Sequence, residues 1–337
     1  MKVIRFYLFI LIILSPTLFT SCSDDEEEEL EGNWAEESDF DGVPRGDAAG
    51  FVIGNYGYLG TGYDGEDRRK DFWQYDPNLN NWTQMADFPG VERNGAVGFS
   101  INGKGYIGLG YDGDDPLNDF YEYDPTSNTW TQIQDFPGSA RYGATSFAVA
   151  GKGYIGTGYD GDNYLKDFYS YDPTSQAWEK ILSIGGSKRR DANSFVIGSK
   201  AYVVSGLDNG SYETDVWCYD PSNGSWTEMR EINNYNDDES YDDDYVGIAR
   251  INAATFTIDG KGYLAGGAAG NILSTVWEYD PQTDLWTERT SFEGTSRTEA
   301  IGFSLNSFAY VTTGRNSSYY FDDIWSFDPL EEYNEDD

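Results

Sequence analysis

Histidine is absent from all 337 residues of the chain. Its absence excludes nucleophilic catalysis by Ser-His-Asp or Cys-His groups. It also removes the imidazole ligands on which most zinc and copper enzyme sites rest. Cysteine is nearly absent, with only Cys22 and Cys218, so one disulfide at most is available, and none if Cys22 is used otherwise. Positive charge is scarce: 22 Lys and Arg stand against 59 Asp and Glu, for a net charge of −37. A chain with this balance has no basic face to follow a phosphate backbone, so no nucleic-acid partner is expected. Its excess charge favours solubility. Long apolar runs are missing as well. The longest, Phe6 to Phe19, is interrupted by Ser15, Pro16 and Thr17 and falls short of the ~20 residues of a membrane-spanning helix. No cofactor and no metal are expected, and the chain is expected to be a monomer.

What the first residues do contain is Lys2 and Arg5 ahead of that apolar run, the order of a secretion signal. The run ends in Leu18-Phe19-Thr20-Ser21-Cys22. This resembles a bacterial lipoprotein box, in which Cys22 carries the lipid and becomes the first mature residue; ordinary secretion with cleavage elsewhere is the alternative. Residues 1–22 are then a signal segment and residues 23–33, SDDEEEELEGN, an acidic tether held extended by its own repulsion. An acidic run after such a cysteine resembles the signal that sends lipoproteins of Bacteroidetes-type bacteria to the outer face of the outer membrane. The expected location is therefore the outer membrane, facing the exterior, with the membrane touched only through the lipid.

The rest of the chain is repetitive. Gly153 to Trp178 reads GYIGTGYDGDNYLKDFYSYDPTSQAW, and close copies run from Gly105 to Trp130 and from Gly57 to Trp82. An Asp-Pro pair marks the phase at Asp76, Asp124, Asp172, Asp220, Asp280 and Asp328, with steps of 48, 48, 48, 60 and 48 residues. A period near 50 belongs to radial repeats whose units cannot bury their apolar faces alone. Within one unit, Tyr154-Ile155-Gly156-Thr157-Gly158 is an apolar strand ending in glycine, Phe168-Tyr169-Ser170-Tyr171-Asp172-Pro173 a second aromatic strand and turn, and Trp178 the mark of a further strand. The pattern resembles the Kelch repeat, although the double glycine of that family stands only at Gly266-Gly267. The resemblance implies an all-β, six-bladed propeller of four-stranded blades over residues 34–330, with 331–337 an acidic tail. The last unit lacks its tryptophan strand, while Trp34 lies 48 residues before Trp82. The N-terminal strand is thus expected to complete the C-terminal blade and close the ring.

Each unit opens with an arginine: Arg45, Arg93, Arg141, Arg189, Arg250 and Arg297. If the first strands are innermost, these arginines crowd the upper mouth of the axis, with Tyr63, Tyr111 and Tyr159 of the Tyr-Asp-Gly loops around them. Guanidinium forks match carboxylates, and Kelch rings that bind acidic peptides use arginine at this position, which the resemblance allows here. The other reading is internal pairing of each arginine. Two residues further on stand Asp47, Asp191 and Glu299 in three blades, and Gly95, Gly143 and Asn252 in the others. The Asp-Gly-Asp loops and Asp242-Asp243-Asp244 offer oxygen ligands for calcium but no alternating twelve-residue loop ending in glutamate, and solvated acidic loops are the expectation. Thirteen residues are inserted between Trp226 and Arg250, and the Asn234–Val246 stretch is expected to rise from the upper face.

Three functional readings follow. The first is non-catalytic binding of a protein, acidic peptide or glycan through the arginine-ringed face. The second is an enzyme, because the resemblance includes bacterial sialic acid mutarotases, which need carboxylate, arginine and a pocket; Arg297 with Glu299, or Arg189 with Asp191, are the acid–base candidates. The third is a structural surface spacer.

Overall fold

A computed structural model of the chain describes residues 30–235, 238 and 240–334. Cys22, the signal segment and most of the tether lie outside the described residues. Six sheets of four antiparallel strands form the propeller. Blade one illustrates the rest: Ala49–Ile53, Tyr56–Gly60, Phe72–Asp76 and Asn81–Gln84 follow one another outward from the axis. The first strands of the six blades touch one another around the axis. They alternate buried and half-buried positions, because one face packs on the next blade while the other lines the channel. Between blades the core is aromatic. Phe72 meets Tyr123 and Trp130 of blade two at 4.8 and 4.9 Å, ring edge to ring face, a geometry that adds to the burial of area itself.

The ring closes as the sequence implies. Glu31–Glu36 pairs antiparallel with Ile324–Glu332, Trp34 standing opposite Phe327. Trp34 is fully buried and packs 4.6 Å from Phe327 and 4.9 Å from Phe292. Its indole N–H donates to Thr290 O at 3.3 Å, back towards blade five. Trp130, Trp178 and Trp226 each reach back to the preceding blade in the same way. The closing strand takes in Glu31, Gly32 and Asn33, which the sequence placed in the tether. Its partner runs on through Glu331 and Glu332, placed in the tail.

Among its described residues, none of the Asn234–Val246 insertion lines the axial cavity. Tyr245 accepts a hydrogen bond from the Trp286 backbone N–H at 2.6 Å and sets its ring against Trp277. Apolar burial at the blade four–blade five junction holds this end of the segment.

Candidate functional site at the axial mouth

The structure corrects the expected placement of the six arginines. Arg45, Arg93, Arg141, Arg189, Arg250 and Arg297 are buried to within 1% of full enclosure, and no guanidinium reaches the mouth. Five form forked ion pairs with a carboxylate 26 residues on: Asp71, Asp119, Asp167, Asp215 and Asp323. The nearest contacts are 2.5 Å for Arg45, Arg93 and Arg297 and 2.7 Å for Arg141. Each of the six also donates to a backbone carbonyl 16 residues on. Where blade five has one residue fewer, Arg250 finds Thr275 in place of the aspartate, and burial lowers its pKa to about 10. Arg189 and Arg297 are thereby removed as acid–base partners. Their role is to tie the first strand of a blade to the start of the third, as a buried charge held by a carboxylate and backbone carbonyls.

The residues two places after each arginine form the mouth. Asp47, Gly95, Gly143, Asp191, Asn252 and Glu299 all adopt left-handed backbone, with φ between 51° and 62°. Their peptides make a closed circle. Asp47 N–H donates to Glu299 O (3.1 Å), Gly95 to Asp47 (3.0 Å), Gly143 to Gly95 (3.2 Å), Asp191 to Gly143 (2.8 Å), Asn252 to Asp191 (3.3 Å) and Glu299 to Asn252 (2.9 Å). Left-handed backbone costs a non-glycine residue about 1–3 kcal/mol, yet four of the six positions carry side chains.

These six residues line a cavity of about 220 Å³, and its floor is uneven. The missing side chains of Gly95 and Gly143 make room for two neighbouring carboxylates. Asp191 leans over Gly143, where a Cβ would lie 2.3 Å from Asp191 Oδ1; Asp47 leans towards Gly95 from the other side, 3.2 Å from where its Cβ would be. Asp47 accepts a hydrogen bond from Asn94 Nδ2 at 2.7 Å. Glu299 sits apart, held by Arg315 at 2.6 and 2.7 Å. Burial pushes the Asp191 carboxyl up to about 6, against the pull of Arg190 and with repulsion from Glu299. Asp47 is raised well above the usual carboxylate range, by burial first and then by repulsion from Glu299 and Asp191. Crowded carboxylates in a dry site cannot all ionise.

A row of tyrosines runs out from Tyr142, the neighbour of Gly143. Tyr111 and Tyr142 are 5.2 Å apart, Tyr142 and Tyr159 5.7 Å, and Tyr159 and Tyr164 5.0 Å. Arg68 lies 5.3 and 5.0 Å from the Tyr63 and Tyr111 rings, and Arg190 is about 6 Å from Tyr142, Tyr159 and Tyr164, contacts of the cation–π kind. Arg190 Nε lies 3.2 Å from Asp191 Oδ2. None of Tyr63, Tyr111 and Tyr159 is among the residues that line the cavity; the arginines over their rings are Arg68 and Arg190, and Arg315 pairs with Glu299. Sequence reasoning missed these three arginines, together with Asn94, Tyr142 and Tyr164. The usable signal was their departure from the repeat: the position after each blade arginine reads Gly46, Asn94, Tyr142, Arg190, Ile251 and Thr298.

The acidic loops are turns. Asp64, Asp112 and Asp160 each accept backbone N–H groups two and three residues on through Oδ1, at 2.7–3.0 Å, the geometry of Asx turns. Among the described residues no three Asp, Glu or Cys side chains converge as a metal site.

A propeller of this construction is capable of ligand or protein binding, and its repeat is that of the Kelch class. Residues 89–240 match the KLHDC2/KLHL20/DRC7 Kelch-repeats domain, and residues 249–292 match the Kelch motif. The solved structure of YjhT is similar at 17% identity, with a TM-score of 0.71, over 86% of this chain and 95% of that one. No curated protein matches the sequence. The chain has the fold of the Kelch-repeat β-propeller family. Since 761 solved chains share the architecture, the fold alone assigns no activity.

Proposed function

We propose that the protein is a mutarotase acting on a carboxylate-bearing sugar of the sialic acid class, with the axial mouth as its active site. The observation that carries this reading is the pair Asp47 and Asp191, both raised and both lining the one axial cavity. Anomer exchange needs a base for the anomeric hydroxyl and an acid for the ring oxygen. Asp191, with a pKa of about 6, is the base at neutral pH, and Asp47, whose carboxyl burial raises well above the usual range, is the acid. As Asp191 takes the hydroxyl proton, the anomeric C–O bond to the ring oxygen breaks and Asp47 protonates that oxygen. The open-chain carbonyl turns, and the ring closes on the other face with the protons returned. No net oxidation occurs and no metal is required. Tyr111, Tyr142 and Tyr159 offer faces for the sugar ring, and Arg190 and Arg68 offer positive charge to its carboxylate. Glu299, tied to Arg315, sets the charge of the mouth rather than exchanging protons.

Non-catalytic recognition of a glycan would use the same tyrosines and arginines. A glycan array combined with an anomer-exchange assay separates the readings. Exchange supports the mutarotase, binding without exchange supports a receptor, and silence in both supports a spacer.

The lipid on Cys22 and the outer-membrane location belong to the same proposal. The tether reaches the propeller at Glu31, on the outermost strand of blade six, so a lipid there leaves the axial mouth open to solutes. One acyl chain holds a protein only marginally, at roughly 10⁴ M⁻¹, so several chains are expected. Cys22→Ser should move the protein to the soluble fraction, and a variant that still sediments with membranes contradicts the anchor.

A further inference from the structure

We propose that the insertion between blades four and five binds a calcium ion, anchored by the Asp242 carboxylate. Asp242 is fully buried. Its Oδ2 accepts the Tyr235 backbone N–H at 2.6 Å, but its Oδ1 is enclosed and has no hydrogen-bond partner. No Lys or Arg forms an ion pair with it among the described residues. The same segment holds a second enclosed oxygen without a donor, Asn233 Oδ1, and the Tyr235–Asp242 bond brings the strand of chain that starts at Asn233 beside the aspartate.

An enclosed carboxylate oxygen with neither donor nor cation is unfavourable, while hard cations take six to eight oxygens of carboxylate, amide and carbonyl type. The surroundings favour a cation. Asp243 and Asp244 follow directly, and the chain as a whole carries −37, which raises the local concentration of cations. The other acidic loops are no precedent, because their aspartates are occupied by backbone N–H groups. With one buried carboxylate as anchor, the dissociation constant belongs in the weak range of extracellular modules, about 10⁻⁴–10⁻³ M. The bound ion would fix the segment that sets Tyr245 under Trp286, so this site is independent of the chemistry proposed at the mouth.

The test uses terbium as the probe, its luminescence sensitised by Tyr235, Tyr241 and Tyr245, with displacement by calcium and a thermal melt in calcium against chelator. The wild-type protein should bind terbium, release it to millimolar calcium and melt several degrees higher in calcium. Asp242→Asn should weaken binding at least tenfold, whereas Asp112→Asn, in a loop of blade two, should leave it unchanged. If Asp242→Asn fails to fold, Asn233→Ala should still weaken binding about fivefold. No binding by the wild-type protein overturns the proposal, as does full affinity in Asp242→Asn or, where that variant is unfolded, in Asn233→Ala.

Discussion

Arg93 and Arg190 carry the same side chain to different ends. Arg93 recurs in phase in every blade, has no exposed surface and forks onto Asp119; Arg190 occurs once, is 30% exposed and lies beside Asp191. Removing one member of a buried pair costs about 3–5 kcal/mol. Arg93→Ala should therefore lower the denaturation midpoint sharply, and a variant of unchanged stability with weakened ligand binding would contradict the structural role. The sequence offered both ligand contact and internal pairing for these arginines, and spacing alone could not choose, since the aspartates lie 26 residues away in chain and adjacent only in the folded blade. Asp191 makes the converse prediction. Its pKa is raised by folding to about 6 from about 3.9 in an unfolded chain, so the native state binds more protons between those values. Its contribution to stability is full below about pH 4, falls as pH rises, and is lost above about pH 6. Asp191→Asn should raise the melting temperature relative to wild type at pH 7.5 and not at pH 4. Equal differences at both pH values would contradict a raised carboxyl.

At the scale of elements, the closing strand was legible because a missing tryptophan in the last unit and a surplus one at the start share the 48-residue step. Trp34 is enclosed between blade five and its own blade, and truncation of such a tryptophan costs about 3–5 kcal/mol. Trp34→Ala should lower stability as much as Trp82→Ala does, measured by denaturant titration, despite its place near the start of the described chain. A loss much smaller than that of Trp82→Ala would mean that the ring holds without its clasp. Arg289 reinforces that clasp by bridging buried Glu278 of blade five to Glu31 of the closing strand. The insertion was legible as extra length but not as direction. Nothing in NNYNDDESYDDDYVG shows that Tyr245 would find a backbone donor on Trp286, because that donor belongs to a strand 41 residues away.

For the whole molecule, repetition fixes the architecture and its interruptions make the site. Six copies impose one circle of left-handed residues at the axis, and a perfectly regular sequence would give that circle six equal side chains. Here it holds three carboxylates, one amide and two glycines, and the unequal ring is what sets Asp47 and Asp191 on one cavity. The positions were visible in the sequence as residues two places after each arginine. Their convergence was not, because circular closure brings Asp47 and Asp191 to one cavity across three blades. Anomer exchange of N-acetylneuraminic acid, followed by magnetisation transfer between its two anomers, tests this account most directly. The wild-type protein should speed exchange well above the buffer rate, with activity falling as pH drops below about 6. Asp191→Asn should reduce the acceleration by at least the 10²-fold that a general base contributes, while remaining folded. Exchange at the buffer rate with wild-type protein, or undiminished exchange with Asp191→Asn, would contradict it.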